Sequence, residues 1–294
     1  MEIARRNPLL LARTTSAALQ VLQGRIARAQ QVAMSGVDVQ RPSDAPGRWQ
    51  AIHSLSSGAA DQSVYQSGID SATTLFDVAD STLSTATSNV NRAIEVAIQM
   101  ASDTYDGADR AAAAREIAFL REELLALSNT RVGDRSVFAG DDYHNPAFDA
   151  AGVWQGAAAS TSVPIGSGEE MVIALDGQKI FQGTVDAFQV LTDLEAALNA
   201  NDSTAIAATL PGLNTAHEQI VDGRQEVGFS QARVDDAQFV SENLAALLNE
   251  RLSAAVGADP IETYQEFAAL KTSYEGALQV TAAVASTNLF QMLR

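Results

Sequence analysis

Seam residues recur at steps of mostly three and four from residue 49 to about residue 103: Ile52, Leu55, Ala59, Gln62, then Ile69, Ala72, Phe76, Ala79, Leu83, Ala86, Val90, Ala93, Ala97 and Met100. This is close to a strict heptad over about seven repeats. At 1.5 Å per residue it predicts a helix roughly 80 Å long. A compact domain in a chain of 294 residues has no room for it. The expected fold is therefore mainly α: an elongated antiparallel helical rod or coiled coil, formed by the N- and C-terminal segments, with a small β-rich insert.

Both ends of the chain carry seams of the same kind. Residues 8–33 place Ala12, Thr15, Leu19, Leu22, Ile26, Ala29 and Ala33 on one stripe. Residues 258–294 open with Asp259-Pro260-Ile261-Glu262. Asp is a good N-cap, and Pro fits the first helical position, where its missing N–H costs nothing. Phe267, Leu270, Tyr274, Ala277, Thr281 and Val284 follow at alternating steps, and Leu289 and Met292 carry the stripe on, one position out of register. A narrow seam rich in small residues gives a lone helix no core, and such a helix is marginal in water. Each must find a partner, either the other end of the chain or another copy. Leu19, Leu22, Ile26, Phe267, Leu270, Tyr274, Leu289 and Met292 are the expected assembly interface.

The net charge of −17 argues against a nucleic-acid or anionic-membrane binder. It is unevenly spread: residues 1–50 hold seven Arg against three acidic residues, so +4, and the remainder is −21. A basic first segment in an acidic protein suggests pairing with acidic helices; Arg5, Arg6 and Arg13 could steer the first helix onto Glu262 and Glu266. The absence of Cys excludes disulfides and thiolate chemistry. No apolar run approaches the ~20 residues that span a bilayer. Pro8-Leu9-Leu10-Leu11-Ala12 is too short for a signal peptide, and no small-residue cleavage pattern closes it.

Between the ends, residues 41–47 form a loop with two Pro and one Gly, in which Ser43 or Asp44 can cap the long helix. A second helix, from 110 to about 130, carries Ala113, Ile117, Leu120, Leu124 and Leu127 and should pack antiparallel on the first. Beyond Val132-Gly133-Asp134 the character changes. Residues 171–175 and 178–181 read as a hairpin, because Asp176-Gly177 supplies the positive φ of a type I′ turn. Residues 185–201 form one amphipathic helix through Phe188, Leu191, Leu194 and Leu198. From 203 to 256 helix returns, with Ile206, Leu213, Ile220, Val227, Val234, Leu244, Leu248 and Leu252 apolar and Pro211-Gly212 breaking its start. The order is nested. The expected domains are 1–45 with 258–294, 46–135 with 203–257, and the insert 136–202.

Ser35-Gly36-Val37-Asp38-Val39-Gln40-Arg41-Pro42-Ser43-Asp44-Ala45-Pro46-Gly47, after the first helix, is similar to a signature loop of the flagellin superfamily. Leu127-Ser128-Asn129-Thr130, Val137-Phe138-Ala139-Gly140 and Asn145-Pro146-Ala147-Phe148 resemble the passage into the outer domain in the hook–filament junction branch of that superfamily, a passage that flagellins proper usually lack. Glu226-Val227-Gly228, on the return helix, also fits. There are departures: Ala45 stands where the signature has a second Asp, and the usual Ser-Leu-Leu close is replaced by Ser286-Thr287-Asn288-Leu289-Phe290-Gln291-Met292-Leu293. The resemblance implies a structural subunit of the bacterial flagellum, secreted without a cleavable signal peptide through the flagellar export channel. Its implied partners are further copies of itself, hook-associated protein 1, flagellin, and an export chaperone held on the C-terminal helix. The alternative within the superfamily is a flagellin filament subunit. Ser35, Gly36, Pro42, Ser43, Asp44 and Pro46 are the signature-loop residues it singles out.

No catalytic or phosphate-binding motif is present, so no enzyme is expected and no cofactor is implied. His53 and His217 lie near seam positions and read as packed or rim histidines. Asp141-Asp142-Tyr143-His144 holds ligand-type side chains, but nothing else converges on it in sequence, so a solvated loop is expected. Trp49 and Trp154 read as packing anchors, and Asp235-Asp236 as an exposed helix face.

Overall fold

A computed structural model of the protein describes residues 8–292, with side chains described for 14–283. Seven helices and four short strands follow one another among the described residues: α1 Pro8–Ser35, α2 Pro46–Met100, α3 Gly107–Ser128, β1 Arg131–Val132, β2 Arg135–Ser136, β3 Ser162–Gly166, β4 Glu169–Val172, α4 Gly177–Phe181, α5 Ala187–Asn199, α6 Ser203–Val256 and α7 Pro260–Met292. The chain divides into two compact units. The described residues of Met1–Ala59 with Ala246–Arg294 form one, and Ala60–Ala245 form the other.

The second unit is built on the α2 heptad. Ile69, Ala72, Phe76, Ala79, Leu83, Ala86, Val90, Ala93, Ala97 and Met100 are all buried. Leu75, Thr82 and Val96 are buried beside them, so the face is wider than a two-helix seam. Against it runs α6, whose Ile206, Leu213, Ile220, Val227 and Val234 recur at strict seven-residue steps and are at most 1% exposed. Gln62 of α2 donates to the Ser241 hydroxyl of α6, Asp77 takes Gln231 at 2.9 Å, and Asp80 takes Arg224 at 2.7 Å. Numbers rise on one helix as they fall on the other, so the two are antiparallel. The seven-residue step from Val234 lands on Ser241, which is buried; Leu244, expected on the seam, lies on its flank and is 42% exposed.

The α3 helix starts at an Asp106 cap and packs antiparallel on α2, with Arg92 pairing Glu116 at 2.6 Å. Arg110, unremarked in the sequence, is buried beneath the turn. It donates to the carbonyls of Met100 and Ser102 at 3.0 Å and to Asn201 Oδ1 at 2.6 Å, and so knots the α2–α3 turn to the α5–α6 turn. Pro211 does not break α6, which runs through it from Ser203. Pro211 and Ala207, four residues back, are both exposed, so water can take the bond that Pro211 cannot donate.

The insert is mixed, as expected, but its hairpin is elsewhere. Asp176-Gly177 is not a type I′ turn: the Asp176 carboxylate caps α4 by accepting from the Lys179 amide at 3.2 Å. Gly177 is required there by close approach, since a Cβ would lie 2.5 Å from the Phe138 carbonyl oxygen. The hairpin pairs β3 with β4, antiparallel, around the turn at Gly166 and Gly168. It sits on α2 where α2 has no side chain: a Cβ on Gly68 would come 2.1 Å from the Pro164 carbonyl oxygen. The insert's core is aromatic. Phe181 meets Phe138 and Phe148 edge-on at 5.5 and 5.7 Å, and Phe188 closes the group against Phe148 at 5.2 Å. Asn129 fixes the passage into it, donating to the Phe148 carbonyl at 3.0 Å and accepting its amide at 2.9 Å.

Candidate functional site

The terminal seams meet each other within the first unit. The α7 helix begins as its sequence predicts: Asp259 Oδ1 accepts from the amides of Ile261 at 2.8 Å and Glu262 at 3.3 Å, and Pro260 takes the first helical position. Its least exposed positions are Thr263, Phe267, Leu270, Tyr274, Ala277 and Thr281, the expected stripe extended back by one turn. On α1 they are Thr15, Leu19, Leu22, Ile26, Ala29 and Val32. Val32 replaces Ala33, which is exposed; the step after Ala29 is three, not four, and it brings the larger side chain inward. Gln23 donates to the Tyr274 hydroxyl at 2.7 Å, and Arg25 lies 3.9 Å from Glu266. The Ala258 amide donates to the Gly36 carbonyl at 2.9 Å, so the pair is antiparallel.

This pairing brings Leu19, Leu22 and Ile26 onto the same side as Phe267, Leu270 and Tyr274 without sealing them. Of these six only Leu270 is buried, at 8% exposure, and the others are half-buried. Val21 and Met34 on α1, and Ile261, Tyr264 and Val280 on α7, are more than half exposed. The side chains of Leu289 and Met292, those of Ala12, Arg13 and Val284, and residues Arg5 and Arg6 lie outside what the structure describes. Glu266 finds Arg25 as its partner.

The signature loop closes α1 and starts α2. Gly36 takes φ +69 just past the last turn, the left-handed position at which helices commonly end, and its amide donates to the Val32 carbonyl at 2.8 Å. Ser35 Oγ accepts from the Val37 amide at 3.2 Å. Pro42 and Ser43 are exposed, and Pro46 opens α2. Neither Ser43 nor Asp44 caps that helix. The Ala45 carbonyl accepts its first amides, those of Arg48 and Trp49, both at 3.0 Å. Asp44 turns the other way. Its carboxylate accepts from the amides of Gln40 at 3.2 Å and Arg41 at 3.0 Å, and pairs with Arg28 of α1 at 2.9 Å. Burial pushes this carboxyl up, but the Gln40, Arg41 and Arg28 bonds outweigh it and hold the group below the usual carboxylate range. Among the described arginines of the first segment, Arg28 and Arg48 thus pair with Asp44 and Asp38 of its own loop.

The other singled-out residues play structural parts. Asp141 is no loose loop carboxylate: it accepts from the amides of Ser160 and Thr161 at 2.9 and 2.7 Å and from both their hydroxyls, which holds its pKa far below the ordinary value. Asp142 is held by Asn145, and His144 is exposed. His217 is half-buried at a rim, whereas His53 is exposed, as are Asp235 and Asp236. Trp49 is half-buried, and Trp154 packs on the insert core. Among the described residues, no three His, Cys, Asp or Glu side chains gather as around a metal ion, and no helix is long and apolar enough to cross a membrane.

Comparison with known proteins bears on what such a frame belongs to. Residues 7–142 match the family model for the bacterial flagellin N-terminal helical region. Flagellar hook-associated protein 3 of Escherichia coli (strain K12) is 26% identical over 284 aligned residues, covering 88% of this chain and 90% of that protein. Its namesake in Salmonella typhimurium is 24% identical over 286, with the same coverage. Among solved structures, FlgL of Xanthomonas campestris superposes with a TM-score of 0.61 at 16% identity, over 66% of this chain and 98% of that one, a likeness that speaks for the fold. Seams, signature loop and aromatic insert, read beside these matches, support a chain that is hook-associated-protein-3-like and similar over residues 7–142 to the flagellin N-terminal helical region.

Proposed function

We propose that this protein is a structural subunit of the bacterial flagellum that acts at the hook–filament junction, and that it joins its neighbours through α1 and α7. The observation that carries the reading is the unfinished terminal seam. Even with α1 and α7 paired, five of the six expected interface residues described remain half-buried. Fully burying a side chain of this size is worth about 1.5–3 kcal/mol. Ordering a residue costs about 1–2 kcal/mol. A seam covered on one side gains too little, and helices from neighbouring copies would supply the missing faces together, so assembly is cooperative and located at the termini.

On this reading the neighbours are further copies of the chain, hook-associated protein 1 on one side and flagellin on the other. An export chaperone engages the C-terminal helix before assembly, and the finished subunit lies outside the cell. The role is structural, not catalytic. The test is a deletion strain complemented with the full chain or with chains lacking 1–33 or 260–294. The deletion should leave bare hooks with flagellin secreted into the medium, and only the full chain should restore filaments. Restoration by either truncated chain would overturn the terminal-seam mechanism. Long filaments grown from the purified protein alone would instead favour a filament subunit.

A further inference from the structure

The two chain crossings of the first unit are bonded to each other. One leaves α1 at Gly36, and the other leaves α6 at Val256 and enters α7. The Asp38 amide donates to the Val256 carbonyl at 2.8 Å, and the Val39 amide to the same oxygen at 3.4 Å. The Ala258 amide returns to the Gly36 carbonyl at 2.9 Å, and Val37 bridges Gly257. Val39 is 3% exposed. A short two-stranded stitch therefore holds the exit of α1 to the entrance of α7. Asp44 stands beyond the stitch. With only 8% of its side chain exposed, it holds two amides of the loop on one oxygen and Arg28 of α1 on the other. The helix that follows does not use it.

We infer that Asp44 is the positioning residue of a stitched joint: it sets the direction of α1 relative to the start of α2, while the stitch makes α1 and α7 turn together. Removing the carboxylate frees the amides of Gln40 and Arg41 and leaves Arg28 without its acceptor. None of the stitch bonds passes through Asp44, so they survive the change. The angle between α1 and α2 is then released, and the α1–α7 pair stays closed. What that angle serves, presentation of the seam to neighbours, rests on the function proposed above. The joint itself is a property of the isolated chain and is tested there.

The chain has no Cys, so engineered cysteines carry spin labels without background. Labels at Gln20→Cys and His53→Cys, both exposed, report α1 against α2; labels at Gln20→Cys and Glu275→Cys report α1 against α7. In the full-length chain, Asp44→Ala should broaden the 20–53 distance distribution severalfold and leave the 20–275 distribution at its parent width. Arg28→Ala should broaden the first in the same way, and Arg28→Lys should restore it. A 20–53 distribution unchanged in both Asp44→Ala and Arg28→Ala, at parent helicity, overturns the positioning role. Joint broadening of both distances overturns the stitch. Should Asp44→Ala fail to fold, the Arg28→Ala and Arg28→Lys pair decides alone.

Discussion

The α2–α6 seam and the α1–α7 seam follow the same periodicity and reach different states. Ile69, Phe76, Leu83 and Val90 are at most 1% exposed, while Leu19, Leu22, Ile26, Phe267 and Tyr274 stay partly exposed. The difference is in the number of layers. Over most of its length in the second unit α2 has α3, α6 and the aromatic insert to pack against, and its buried face widens to include Leu75 and Val96. Two paired terminal helices cover only the strip between them. A heptad therefore tells which face turns inward, and a third layer decides whether that face becomes dry.

The sharpest way to break this contrast is to truncate one aromatic from each seam. Phe76→Ala should cost about 3–5 kcal/mol in denaturant unfolding, the range for an aromatic removed from a packed core. Phe267→Ala should cost the isolated chain less than about 1.5 kcal/mol, because part of its surface is already wet. Equal losses would mean that the two seams are not different in kind.

The next effect concerns the polar pair where the α2–α6 seam changes character. Gln62→Ala strands the Ser241 hydroxyl in a buried position and should destabilise by about 1–3 kcal/mol. Gln62→Leu with Ser241→Ala should recover most of that loss, since replacing both partners leaves nothing unsatisfied. If the double variant is no better than the single, the pair acts through something other than its hydrogen bond.

A subtler effect is expected in acid. The Ser160 and Thr161 hydroxyls and amides hold the Asp141 carboxyl well below its usual range. A group depressed on folding gives its full stabilisation above the unfolded pKa and loses it as pH falls through the folded one. Stability of the insert, followed by Trp154 fluorescence, should start to decline near pH 3.8, where an ordinary Asp titrates, and go on declining well below it. Asp141→Asn should flatten that slope, and an unaltered slope would exclude the clamp.

The smallest effect is at the surface of the terminal pair. Arg25→Ala removes a 3.9 Å contact between two side chains that are each more than half exposed. It should change stability by less than about 1 kcal/mol and by nothing measurable at high salt. A larger loss would show the terminal pair to be held by charge more than by its seam.

Most of the helical frame was legible in the residues. Steps of three and four located the α2 face, where Leu55 and Ala59 alone fall short of burial, and Asp259-Pro260 marked the start of α7. The misreadings have a common cause. Asp176-Gly177 has the chemistry of a hairpin turn, but Asp176 finds an amide three residues on, and Gly177 is pressed against Phe138. Asp44 resembles a helix cap until Arg28, sixteen residues earlier, turns out to be its partner. In each case a contact distant in sequence overrode a local preference. The seven-residue step through Val234 to Ser241 was a signal for the Gln62 pairing, masked by the apolar Leu244 nearby.

The seat of the hairpin on α2 is bare main chain against bare main chain, at Gly68 and the Pro164 carbonyl. Such a footing has no adjustable setting: a methyl group at 68 would already lift the hairpin off. A graft of a different module onto this stretch of helix would have to bring its own exposed carbonyl to the same spot.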